Sequence, residues 1–107
     1  MIIYHVTISL EASIEAEWIE WMQQTHIPDV LGTGCFSECR FRKAVDVEAT
    51  EPVYVMQYSC RSLEQYHRYR DNFAPALQKD HFDRFSGRFR GARLLLEEIA
   101  VIAATGP

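Results

Sequence analysis

Four stretches of this chain alternate apolar and polar residues, and two others repeat on a helical period. Residues 2–10 put Ile2, Tyr4, Val6, Ile8 and Leu10 on one side and Ile3, His5, Thr7 and Ser9 on the other, the period-two signature of a strand. Ser13 is a favoured N-cap residue. After it Ile14, Trp18, Trp21, Met22 and Thr25 recur at i, i+4, i+7, i+8 and i+11, which predicts an amphipathic helix ending at His26. Pro28 forces a new start, Asp29 to Leu31 add a short turn, and Gly32 and Gly34 stop it. Residues 35–45 alternate again but carry many charges, the mark of an edge strand. After a polar loop over 46–52, residues 53–61 form a more apolar strand.

Ser62 and Gln65 have capping-box spacing and open a second helix with Leu63, Tyr66, Tyr69 or Arg70, and Phe73 inward. Pro75 interrupts it, and a further helical piece runs to about Phe85, with Leu77, Phe82 and Phe85 as its apolar stripe. Gly87 and Gly91 punctuate, and residues 92–103 read as the last and most apolar strand.

The order βαββαβ predicts a single α+β domain over 1–107: a ferredoxin-like antiparallel sheet with both helices on one face. Helices cover only one face of such a sheet, yet the last strand is apolar on both, with Leu94, Leu96, Ala100 and Ile102 against Leu95, Ile99 and Val101. The third strand likewise sets Tyr54, Met56 and Tyr58 against Val53 and Val55. A second copy of the sheet is the simplest cover, so a homodimer is expected. Glu97 and Glu98 interrupt the last strand. One of them should face an interior, with Arg40, Arg42 or Arg93 as its partner.

Composition narrows the class further. A chain of 107 residues, 48% hydrophobic and 24% charged, suits one globular domain, and no apolar run approaches the roughly 20 residues that span a bilayer. The opening segment has no basic flank and reads as a strand, not a signal peptide. With three cysteines, an odd number, this suggests reduced thiols and a cytoplasmic location. The net charge of −4 conceals an asymmetry: six acidic residues and no Lys or Arg before residue 40, and all eleven basic residues from Arg40 onward. That distribution disfavours nucleic acid, because the acidic third repels phosphate. It favours oppositely charged elements lying side by side.

The segment densest in unusual residues is Trp18 to Phe36. His26, at the expected end of the first helix, is a candidate for proton transfer at the mouth of an apolar pocket, or for a C-cap bonding the last carbonyls. Trp18, Trp21 and Met22 stand one to two turns earlier, either as core or as pocket wall; Asp29 caps the short turn or bonds His26; Tyr58 joins the wall from the third strand. His5, His67 and His81 are scattered, and with no CxxC or HxxxH spacing the cysteines and histidines point to no metal site. Residues 79–93 interleave five basic residues with Phe82, Phe85 and Phe89. This is an interaction segment for protein or nucleic acid, or an exposed basic face paired with the acidic first helix.

The run carried by Trp18, Trp21, Met22, His26, Ile27, Pro28, Asp29, Val30, Leu31, Gly34 and Phe36, with the later patterns around Phe82, Arg84, Phe85 and Glu97 or Glu98, resembles a bacterial domain family of unknown function. Such proteins are similar to the dimeric α/β-barrel superfamily, which includes cofactor-free monooxygenases, isomerases acting on lactones, and haem-degrading enzymes. The resemblance implies a pocket between helices and sheet, without implying a reaction. The resulting expectation is a homodimer with a small-molecule pocket between the first helix and the sheet and no cofactor. If it is an enzyme, His26 serves as base in oxygenation or isomerisation of an aromatic or lactone-like compound.

Overall fold

β1 (Ile2–Leu10) runs through the middle of a four-stranded antiparallel sheet. β3 (Val53–Cys60) and β4 (Phe89–Glu97) flank it, and β2 (Glu38–Lys43) pairs with the far side of β3 as an edge strand. The computed structural model describes residues 1–106. Register follows the alternation in the sequence: Tyr4 lies opposite Tyr58 on one side and Leu95 on the other, and Ile8 opposite Tyr54 and Gly91. One face of this ferredoxin-like sheet is covered by helices and carries the core, with Tyr4, Ile8, Leu10, Tyr54, Met56 and Tyr58 all buried.

The first helical run does not end at His26. A 3-10 turn (Ala12–Ile14) leads into α1 (Glu15–Trp21), a π-helical turn (Met22–His26) and α2 (Ile27–Gly32) without a break. The buried positions Ile14, Trp18, Met22, Ile27 and Val30 show why the periodic reading slipped: the step from Met22 to Ile27 is five residues. Pro28 has no N–H to give and its ring would crowd the carbonyl four residues back. The widened turn absorbs this, with the Ile27 N–H bonding the Met22 carbonyl five residues earlier. Thr25, expected inward, is consequently exposed. Ser13 does not cap the helix; it lies inside the 3-10 turn, and its hydroxyl accepts from Arg88 at 3.2 Å. Gly34, at φ +78°, supplies the left-handed residue that turns the chain toward β2.

The second helical layer is α3 (Leu63–Asn72) followed by α4 (Ala74–Phe85), with Pro75 in the first turn of α4, where its missing N–H costs nothing. Only half of the expected capping box forms: the Ser62 hydroxyl accepts the Gln65 N–H at 3.2 Å, while the buried Gln65 Oε1 has no partner. Leu63 is exposed, and with Leu77 half-buried against the core α4 keeps part of the expected stripe. It buries Ala74, His81 and Phe85, and Phe82 is 56% exposed.

The acidic first run lies against basic partners, as the charge asymmetry implied. Glu11 meets Arg88 at 3.1 Å, Glu15 meets Lys43 at 2.8 Å and Glu17 meets Arg84 at 3.5 Å. Such surface pairs add little stability but favour this placement of the run.

The last strand is shorter and earlier than expected, ending at Glu97 instead of Ala103. Its length is set by its partner: Ile2 pairs with Glu97, the Glu98 N–H bonds the Met1 carbonyl, and there β1 ends. Ile99, Val101 and Ile102 therefore lie exposed outside the sheet. Glu97 and Glu98 are both exposed too, and among the described residues neither forms an ion pair with Arg40, Arg42 or Arg93. The uncovered sheet face carries Ile3, Val53, Val55, Leu94 and Leu96, around a polar centre where His5 bonds Thr7 and Gln57, each at 3.1 Å.

Candidate functional site

Between the covered sheet face and the helices lies a cavity of about 490 Å³. Its floor comes from β1, β3 and β4 (Tyr4, Val6, Ile8, Met56, Tyr58, Phe89, Gly91 and Arg93), and its walls from the first helical run (Met22, His26, Val30) and α4 (Gln78, Lys79, His81, Phe82), with Tyr69 of α3. Gly91 keeps the floor low. A Cβ there would stand 2.9 Å from the Ile8 Cδ1.

The π turn carries His26 to the wall. Its ring stacks on Trp21 with centroids 5.1 Å apart and faces His81 at 5.6 Å. His26 is thus in mid-run, with no C-cap bond, and the environment that tunes it is burial and not a helix end. Desolvation pushes its pKa below 6.5, against the opposing pull of Asp29 and Asp80, so its ring is neutral at pH 7.

His81, which looked scattered in the sequence, is the second polar feature of the wall. It is enclosed by rings, with Phe89 edge-on at 4.3 Å and Phe85 and Trp21 at 5.6 and 5.8 Å. The Trp18 Nε1–H donates to His81 Nε2 at 2.9 Å. Indole nitrogen only donates, so Nε2 must be the bare nitrogen and the proton of the neutral ring is on Nδ1. Burial first, then the charges of His26 and Arg93, depress His81 to about 4. His81 is therefore a fixed neutral donor, leaving His26 as the histidine with a lone pair to offer.

The phenols follow the same logic. Burial raises Tyr4, Tyr58 and Tyr69, so all three stay protonated and act as donors. The lining thus combines the neutral His26 with phenols, the Gln78 amide and the guanidinium of Arg93, a set containing donors for charge on a bound oxygen. Among the described residues, no three His, Cys, Asp or Glu side chains converge as a metal site. The three cysteines are free, and burial pushes the Cys39 thiol up to about 11.

Of the residues singled out from sequence, His26, Met22 and Tyr58 line the cavity. Trp18 is fully buried behind it and reaches it through His81; Trp21 backs His26; Asp29 is exposed and acts on His26 only by charge. His81, Gln78 and Arg93 were missed. The signal was there for α4: Gln78, His81, Phe82 and Phe85 recur at i, i+3, i+4 and i+7, sharing Phe82 and Phe85 with the stripe read through Leu77. Arg93 follows Gly91 and precedes Leu95 on one face of the strand, a cation on an otherwise inward row.

A four-stranded antiparallel ferredoxin-like sheet with its helices on one face defines the class of this protein as a small α+β domain, and a cavity lined by His26 and His81 lies between sheet and helices. The chain belongs to the family described as a domain of unknown function, DUF4286, whose pattern matches residues 1–99. Among curated proteins none matches. Solved structures share the fold at low identity. A dimeric ferredoxin-like protein from an uncultured marine organism has a TM-score of 0.76 at 8% identity, covering 94% of this chain and 97% of that one. HapK from Hahella chejuensis has a TM-score of 0.71 at 14% identity, covering 99% and 100%. SnoaB from Streptomyces nogalater, described as a cofactor-independent oxygenase, has a TM-score of 0.65 at 10% identity, covering 96% and 98%.

The depressed histidines give stability a pH signature. Each must charge in the unfolded chain near pH 6.5 but resists charging in the folded one. Stability is therefore full above 6.5 and falls as pH drops toward the folded pKa, which for His81 is about 4. For His81 the loss is on the order of 3 kcal/mol. A His81→Gln variant, which keeps an acceptor for Trp18 but does not titrate, should show a shallower decline in urea-unfolding free energy between pH 6.5 and 4.5. A profile parallel to that of the wild type would contradict this assignment.

Proposed function

We propose that this chain forms a homodimer in which each subunit binds a small ring-bearing molecule in its own cavity, with His26 positioned to take a proton from it. The observation that carries this reading is the neutral His26 on the wall of a 490 Å³ cavity that also holds phenol, imidazole, amide and guanidinium donors. The volume and the mixture of aromatic lining with a few convergent polar groups suit a small-molecule site.

As an enzyme, the site would remove a proton from a carbon beside a carbonyl or phenol, with the resulting oxyanion met by phenol, imidazole and guanidinium donors. Returning that proton to a different carbon is an isomerisation and needs nothing else. Reaction of the carbanion with dioxygen would convert CH2 and O2 to C=O and water, an oxygenation without a cofactor; SnoaB is described as a cofactor-independent oxygenase. The alternative is a binding module that uses the same cavity without proton transfer. It is favoured if a ligand is retained and recovered unchanged. An interaction role for residues 79–93 has less support, because Arg84 and Arg88 are engaged with Glu17 and Glu11, and Lys79 with Asp83.

The dimer rests on the uncovered sheet face, where Leu94 is 58% exposed beside Leu96 and Ile3, and on the description of a fold relative as dimeric. Sedimentation equilibrium should give twice the monomer mass, and Leu94→Glu should shift the population to monomer with unchanged circular dichroism; a monomeric wild type would refute this part.

His26→Ala tests the site. In a screen of phenols, quinols and lactones, a ligand at about 100 times its dissociation constant stabilises by about 2.7 kcal/mol. The variant should fold, lose the base, and turn over no compound that the wild type converts. Unchanged turnover of every accepted compound would remove His26 from the chemistry.

A further inference from the structure

The cavity has a charge bias that runs against the chain. The protein carries −4, yet among the described residues the lining contains Arg93 and Lys79 and no carboxylate. Lys79 is already paired with Asp83 on the outer surface of α4. Arg93 has no carboxylate within ion-pair distance among the described residues, although most other arginines of the chain have one. It stands on the covered face of β4, opposite Val6 and two residues beyond Gly91, so the guanidinium rises from the low part of the floor. Its charge is felt by Tyr4, Tyr69 and His81, while its side chain is exposed at the open edge of the cavity.

We propose that the ligand of this cavity is a ring-bearing organic acid whose carboxylate is held by Arg93, with its ring over Gly91 between the apolar walls. The inference rests on the reading of the cavity as a ligand site and names the chemistry that site selects. Guanidinium matches a carboxylate with two parallel N–H···O bonds, which lysine cannot do. Gln78 and the Tyr4 hydroxyl stand beside Arg93 and can donate to the same carboxylate. Arg93 is exposed, so bulk solvent satisfies its guanidinium without an internal partner, and a ligand carboxylate would take the place of that solvent. A neutral ring would leave the charge covered and unpaired, and so is selected against. Aromatic and sulfur side chains, Phe82, Phe89, Met22 and Met56, line the space for the rest of the molecule.

The test compares benzoate, cinnamate and 2-naphthoate with their methyl esters by calorimetry, on wild type, Arg93→Met, Arg93→Lys and Gly91→Leu. The wild type should bind at least one acid about tenfold or more tightly than its ester, in line with a charge-assisted pair. Arg93→Met should abolish that preference while leaving the ester's affinity, and Arg93→Lys should restore only part of it. Gly91→Leu, which fills the floor, should weaken acid and ester alike. Acids and esters bound equally by the wild type, both weakened by Gly91→Leu, would overturn the anion proposal and leave the pocket standing. Binding of neither, with no effect of Gly91→Leu, would overturn both. Retention of the acid preference in Arg93→Met would assign it to another group and refute this one.

Discussion

One hydrogen bond organises the site: Trp18 Nε1–H to His81 Nε2, 2.9 Å long and fully buried. It joins residues 63 positions apart and ties the first helical run to α4 across the sheet. A buried indole N–H or imidazole nitrogen left without a partner costs about 1–3 kcal/mol, so the two side chains hold each other in place. The bond also fixes the tautomer of His81, and with it the division of labour in the cavity. His81 becomes a donor that resists protonation, and the neighbouring His26 keeps its lone pair. Two histidines 5.6 Å apart, each discouraging charge on the other, thereby acquire different chemistry from their partners alone.

The π turn is the second constraint. It reconciles Pro28 with a continuous helical run and rotates everything after Met22, so that Ile27 and Val30 pack inward while His26 reaches the cavity wall. Local widenings of this kind occur where a side chain is to be placed off the regular helical grid. The low floor at Gly91 and the guanidinium of Arg93 at the open edge complete a largely apolar cavity whose charged lining groups are cationic.

Much of the fold was legible in the sequence because alternation in β1 and β3 is strict and both faces are distinct. The edge character of β2 was legible from its charges. The site was legible only in part. His26, Met22 and Tyr58 stood out as unusual residues in a dense segment, but His81 belongs to a different helix and its role depends on Trp18 arriving from afar. The end of β4 could not be read locally, because apolar residues continue on both sides of Glu97 and Glu98 and only the length of β1 says where pairing stops. Reading α4 through Leu77, Phe82 and Phe85 hid His81 and put the exposed Phe82 inward, since phenylalanine outweighs histidine in any apolar stripe. The expectation that Glu97 or Glu98 must face an interior failed for the same reason. Pairing ends there, so both carboxylates are in water.

The account stands or falls on the states of the two cavity histidines, and nitrogen-15 NMR of histidine-labelled protein reads them directly. It requires His81 as the Nδ1–H tautomer at pH 7, unprotonated well below pH 6, and His26 titrating below 6.5. Two histidines titrating together near 6.5, or His81 carrying its proton on Nε2, would mean that the Trp18 bond and the walled cavity do not exist in solution.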